Sequence, residues 1–159
     1  RREDRERLLI SLAMLMERTG ESEKALGHAQ EVLALNPDSP EALNFIGYTW
    51  ADLGKNLAEA EEMVTRSLLY KPDSGYVTDS LGWVYHRQGN YEKALQTLLR
   101  ADRLAPDEPE INEHVAETLI KLNRVGEGKA RLKKALELKP EPRVKSRIEK
   151  RLRELEGKP

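Results

Sequence analysis

PDSGYVTDSLGWVYHRQGNYEKALQTLLRADRLAP, residues 72–106, is the stretch whose reading decides the fold. From Leu81-Gly82 the chain reaches Tyr85, then Ala94, Leu98, Ala101 and Pro106. Residues three and four apart share a helix face, so Leu81, Gly82 and Tyr85 form a stripe on one helix and Ala94, Leu98 and Ala101 a stripe on the next. Gly89 marks the turn between them. Gly82 and Ala94 remove side-chain volume where the helices cross, and Tyr85 fills the space beside the crossing.

The rest of the chain repeats this pattern. Pro37, Pro72, Pro106 and Pro140 are separated by 35, 34 and 34 residues, and each is followed by Asp or Glu. Proline cannot continue a helix, and an acidic residue or a nearby Ser suits the next N-terminus. Four units follow, at about residues 6–39, 40–74, 75–108 and 109–142. The first carries Leu8, Leu9, Leu12, Leu15 and Met16, a turn at Thr19-Gly20, then Ala25, Leu26, Ala29, Val32 and Leu33. The second has Ile46-Gly47 and Trp50, with Gly54 at its turn. Six residues separate Gly54 from Ala60 but only five separate Gly89 from Ala94, so its extra residue belongs to the loop between the helices. The fourth keeps Val115-Ala116, Leu119, Leu132 and Ala135, turns at Asn123, and has Gly128 where the others have alanine. A mid-helix glycine costs about 0.5–1 kcal/mol, so this unit is expected to be the weaker copy. Residues 143–157, with Val144, Ile148, Leu152 and Leu155 on one stripe, read as an amphipathic helix ending at Gly157. It caps the stack, its other faces covered by Arg143, Lys145, Arg147, Lys150, Arg151 and Arg153.

Composition limits the function. Of 159 residues, 35% are charged and 38% hydrophobic, which favours charge-rich helices with apolar stripes over disorder. A net charge of −1 gives no basic field for phosphate backbones, so no nucleic-acid partner is expected. No run reaches the roughly 20 apolar residues that span a bilayer, so no direct membrane insertion is expected of this segment. Without cysteine there is neither a disulfide nor a thiolate metal site. The opening Arg1-Arg2-Glu3-Asp4, without an initiator Met, reads as part of a longer protein.

The quoted residues resemble the tetratricopeptide-repeat (TPR) family over nearly the whole chain. The third unit departs from the family pattern at Thr78, where a Trp is usual, and at Leu98, where a Phe is usual. The resemblance implies an all-α fold, a right-handed α-solenoid of helix-turn-helix units with a C-terminal capping helix, whose first helices line a concave groove. Residues 42–54 and 79–85 are also similar to bacterial TPR adaptors, several of them envelope lipoproteins; that would imply a periplasmic or membrane-tethered location, and otherwise a cytoplasmic one. Family members that grip a C-terminal carboxylate use Lys, Asn and Arg where this chain has Ile10, Met14, Asn44 or Phe45, Tyr76 and Ser80, so that clamp is absent.

The resemblance places Asn44, Tyr48, Tyr76, Asp79, Trp83, His86, Glu113 and Glu117 in the groove. Tyr48 and Trp83 have no signature duty; either they anchor an apolar side chain of a ligand or they pack on neighbouring first helices. Asp79, Glu113 and Glu117 favour a ligand with Lys or Arg, unless they are a solvated face, and Asn44 suits a ligand backbone. The expected partner is another protein, through an apolar and partly basic segment. Self-assembly through the terminal helices, giving a homo-oligomer, is the alternative. No enzyme and no cofactor are expected: His28, His86 and His114 lie on three helices with no second histidine at ligand spacing, and no phosphate loop or nucleophile elbow occurs.

Overall fold

The computed structural model describes residues 1–157, and among them the chain forms nine α-helices and no strand. These are α1 (Arg2–Arg18), α2 (Ser22–Leu35), α3 (Pro40–Leu53), α4 (Leu57–Tyr70), α5 (Gly75–Arg87), α6 (Tyr91–Leu104), α7 (Pro109–Lys121), α8 (Val125–Glu137) and α9 (Pro142–Glu154). They form two compact bodies, Arg1–Pro72 with α1–α4 and Asp73–Pro159 with α5–α9. Each body is built from helical hairpins, the architecture of an α-solenoid.

Local chemistry starts and stops these helices where the spacing predicts. Ser39 and Ser74 cap α3 and α5, each hydroxyl accepting from the third amide onward, Ala42 N at 3.3 Å and Val77 N at 3.2 Å. The hairpin turns use left-handed backbone at Gly20, Gly54 and Gly89 (φ 71° to 84°) and at Asn123 (φ 65°). In the second hairpin Asn56 also takes φ 50°, so the inserted residue is absorbed by a second left-handed position ahead of α4. The helix predicted to run to Gly157 ends at Glu154; Leu155 is its C-cap and Gly157 turns away at φ 77°. Leu155 keeps right-handed helical backbone (φ −92°, ψ −1°) and continues the apolar stripe, buried with Val144 and Ile148.

The hairpins close at a small-residue crossing. A methyl at Gly82 would stand 2.6 Å from Leu98 Cδ2, and one at Gly47 would strike Val64 and the Ala60 carbonyl. In the fourth unit the partners exchange places. Ala116 occupies the first-helix position and Gly128 the second, where a methyl would lie 2.8 Å from Ile120 Cγ1 and 3.1 Å from the Ala116 carbonyl. Gly128 is therefore a packing requirement and not the mark of a weaker copy. α5 holds Gly75, Gly82, Val77, Val84 and Thr78, a poor helix-forming set, so burial and not propensity keeps it helical.

Successive hairpins join through the second helix of one and the first of the next. In the N-terminal body, Leu26 and Ala29 of α2 pack on Ile46 of α3, and Val32 packs on Ala42. In the C-terminal body, Leu95, Leu98 and Ala101 of α6 meet Ile111 and Val115 of α7, and Leu132 and Ala135 of α8 meet Val144 and Ile148 of α9.

Gly82→Ala is expected to destabilise the protein by about 1–3 kcal/mol by overpacking against Leu98, read as a lower melting temperature by circular dichroism. Gly27→Ala, in α2 where a methyl meets nothing within 4 Å, is expected to stabilise by about 0.4–1 kcal/mol.

Candidate functional site

In the C-terminal body the first-helix face is a buried polar network. Asp79, Trp83 and His86 share one face of α5 at spacings of four and three, opposite His114 and Thr118 of α7. The Asp79 Oδ1 accepts from His114 Nδ1 at 2.8 Å. Trp83 stacks with both imidazoles, at 4.3 Å between centroids for His114 and 4.4 Å for His86. His86 Nδ1 lies 2.9 Å from Thr118 Oγ1, while that hydroxyl donates to the His114 carbonyl at 2.9 Å. With its one proton committed there, Thr118 can only accept from His86, which assigns the proton of neutral His86 to Nδ1. Tyr91 presents its ring edge-on to His86 at 5.2 Å.

The two histidines carry opposite charge states. Burial, reinforced by the charges of His114, Arg87 and Lys121, pulls His86 down to about 4. Burial also opposes charge on His114, but the Asp79 carboxylate, by charge and hydrogen bond, and the charges of Glu113 and Glu110 outweigh it and hold the imidazole up at about 9. At neutral pH the indole stacks on one imidazolium, a cation–π contact, and on one neutral imidazole.

The acidic residues of α7 are already engaged. Arg147 of α9 grips Glu113 through two bonds, Nε to Oε2 at 2.6 Å and Nη2 to Oε1 at 2.7 Å. Arg151 Nε bonds both oxygens of Glu117 at 2.9 Å. Glu113 is buried and Glu117 half-buried. The expectation of three carboxylates open to a basic ligand is therefore corrected: Asp79, Glu113 and Glu117 each hold a cation of the same chain. Trp83, at 8% exposure, follows the packing alternative. Tyr76 alone of the C-terminal set stands out into solvent, 60% exposed, with its hydroxyl donating to Glu108 Oε1 at 2.9 Å, a bond that pushes the phenol pKa up.

The N-terminal body differs. Asn44 and Tyr48 of α3 are half-buried, and Met14, at the corresponding face of α1, is 56% exposed. The Asn44 Oδ1 is buried with no hydrogen-bond partner among the described residues.

Sequence reasoning missed Thr118, Arg147 and Arg151. The signal that finds them is spacing: the bonded pairs 79/114, 86/118, 113/147 and 117/151 lie 32 to 35 residues apart, one repeat length. Among the described residues no group of three or more His, Cys, Asp or Glu side chains is placed to hold a metal, and no helix is long and apolar enough to cross a membrane.

Known proteins give the same picture of the fold. A family model described as Tetratricopeptide repeat matches residues 85–148, and a second of the same description matches 11–68 and 55–109. A TPR repeat-containing protein of Pseudomonas aeruginosa is 34% identical over 110 residues, covering 69% of this chain; the chain spans 18% of that protein's length. Among solved structures, the O-GlcNAc transferase of Thermobaculum terrenum superposes with TM-score 0.70 at 25% identity, over 75% of this chain and 23% of the transferase. PilF of Pseudomonas aeruginosa gives TM-score 0.70 at 21% identity, over 96% of this chain and 71% of its own. At that identity PilF shows a shared fold alone.

The opposed histidines make stability depend on pH in both directions. Unfolded, both titrate near 6.5; folded, His114 keeps its proton to about 9, so its contribution is whole below 6.5 and declines as pH rises toward 9. Folded His86 stays neutral down to about 4, so its contribution declines as pH falls from 6.5. Urea midpoints are expected to peak between these limbs, each on the order of 1–3 kcal/mol. His114→Gln should flatten the alkaline limb; a wild-type midpoint unchanged from pH 6.5 to 9 contradicts the charge assignment.

Arg147→Ala should strand the buried Glu113 carboxylate at a cost of about 1–3 kcal/mol. Amide exchange should accelerate in α9 first, because the lost bonds are two of those that tie α9 to α7, leaving only Arg151–Glu117 among the ion pairs described between them.

Proposed function

This chain belongs to the tetratricopeptide-repeat family, and we propose that it is a non-catalytic scaffold that takes a peptide or helix of a partner protein on the concave, first-helix side. Repeats of this family mediate protein–protein interaction. The finer reading concerns which part of that side does the binding.

The observation that carries it is the Asn44 carbonyl oxygen, buried and without a partner among the described residues. A buried acceptor left unsatisfied costs about 1–3 kcal/mol, which a ligand backbone N–H would recover. Tyr48, one turn away on α3, and the exposed Met14 supply adaptable apolar surface for a ligand side chain. In the C-terminal body Tyr76 is exposed.

For the C-terminal acids the proposal has a condition. A Lys or Arg of a ligand gains Glu113 or Glu117 only by displacing Arg147, held by two parallel bonds, or Arg151, whose Nε–H is shared between both oxygens. The apolar component of the ligand therefore dominates, and the basic component enters where α9 gives way. The titratable groups of this face serve one another in pairs, which supports a structural and not a catalytic use of Asp79, His86 and His114.

Panning a displayed random-peptide library is expected to enrich sequences with a large apolar anchor. Tyr48→Ala should weaken a recovered peptide by about tenfold or more, some 1.4 kcal/mol, whereas Leu69→Ala on α4, exposed on the second-helix side, should leave it unchanged. Selection against the Arg147→Ala, Arg151→Ala double variant should shift recovered sequences toward Lys and Arg. Equal affinity for wild type and Tyr48→Ala would move the site elsewhere. Trp83→Ala is unsuitable as a probe, since it removes a buried stacking partner of two histidines.

A further inference from the structure

We infer that α1 presents an acceptor face for the second helix of a further helix pair of this same repeat type, placed ahead of α1 along the array. Leu8, Leu12 and Leu15 form one stripe on α1 at spacings of four and three. Leu8 is 60% exposed, Leu15 is 52% exposed and Leu12 is half-buried.

The stripe has counterparts whose role is visible in the same molecule. Thirty-four residues on, Ala42, Ile46 and Thr49 of α3 are buried, with Ala42 and Ile46 packed on α2. In α7 the counterparts Ile111 and Val115 are buried against Leu95, Leu98 and Ala101 of α6. In α9, Val144 and Ile148 are buried against Leu132 and Ala135 of α8. Three first helices thus use this stripe to receive the second helix of the preceding hairpin, and α1 continues the series with the receiving surface uncovered.

Helix α9 turns Arg143, Ser146, Lys150 and Arg153 outward, all exposed. That polar face offers no apolar stripe to α1 of another copy, so head-to-tail stacking of two copies is not the occupant. The fitting occupant carries small and aliphatic residues three and four apart, as Leu95, Leu98 and Ala101 do on α6.

The test uses residues 4–159 with one repeat added ahead of them. A duplicate of residues 73–106 joined directly to Asp4 sets Leu8 five residues after the duplicated proline, the spacing of Ile111 from Pro106. This extended chain is expected to melt at least about 3 °C above the original, with amide exchange in α1 slowed more than about tenfold. Leu8→Glu with Leu15→Glu should abolish both gains while leaving the 159-residue chain's own melting within about 1 °C, since both side chains are exposed there. No gain on extension, or an equal loss in both chains, overturns the inference. Sedimentation of the original chain as a dimer that the same substitutions disperse overturns it in favour of a second copy as the occupant.

Discussion

Everything in this molecule depends on how closely two helices can approach at one crossing. Where Gly82 faces Leu98 and Gly128 faces Ile120, a single added methyl would overlap a side chain of the facing helix. The glycine sits on either helix of a pair: Gly47 on the first, against Ala60 and Val64, Gly82 on the first, against Leu98, and Gly128 on the second, against Ala116 and Ile120. What recurs from pair to pair is a close approach, not the helix that supplies the gap. In the first pair Ala13 and Ala25 are both buried.

Close approach within a pair fixes where the outer stripes point, and those stripes have to find the next pair. This is why charge-rich helices still make a core within each body: α2, α6 and α8 are apolar toward their own partners and again toward the helix that follows. The same repetition aligns polar side chains on the first helices at intervals of one repeat. In the C-terminal body that alignment produces a hydrogen-bonded and ion-paired face, Asp79 to His114, His86 to Thr118, Glu113 to Arg147 and Glu117 to Arg151. A surface generally taken for a binding groove is here partly spent on holding α7 to its neighbours.

Legibility in the sequence followed the range of the interaction. The hairpins, their prolines, the serine caps and the left-handed turns are set within a few residues and were readable one by one, including the loop that absorbs the extra residue near Asn56. Gly128 was misread because its cost in propensity is local whereas its reason, the Ile120 side chain, stands on the other helix. Gly157, the expected stop of α9, takes the left-handed backbone of one, three residues beyond the last helical residue, Glu154. The sequence named Asp79, Trp83, His86, Glu113 and Glu117 but not the partners each of them holds. Whether Glu113 faces solvent or an arginine is decided by a helix 34 residues away, and Arg147 and Arg151 were indistinguishable from the other basic residues of that helix until its rotation about its own axis was known.

The stacked indole has one consequence for how the protein can be watched. The chain has two tryptophans, and they fall in different bodies: Trp50 beside Leu26, Ala29 and Ile46, and Trp83 against two imidazoles. A protonated imidazole in contact with an indole can quench its emission by accepting an electron from the excited ring, so Trp83 is expected to be dim while its histidine stack is intact, and Trp50 has no such neighbour in its cluster. A rise in emission from the C-terminal body is then expected when His114 leaves the ring or loses its proton. Each body carries its own intrinsic emitter, with no label attached.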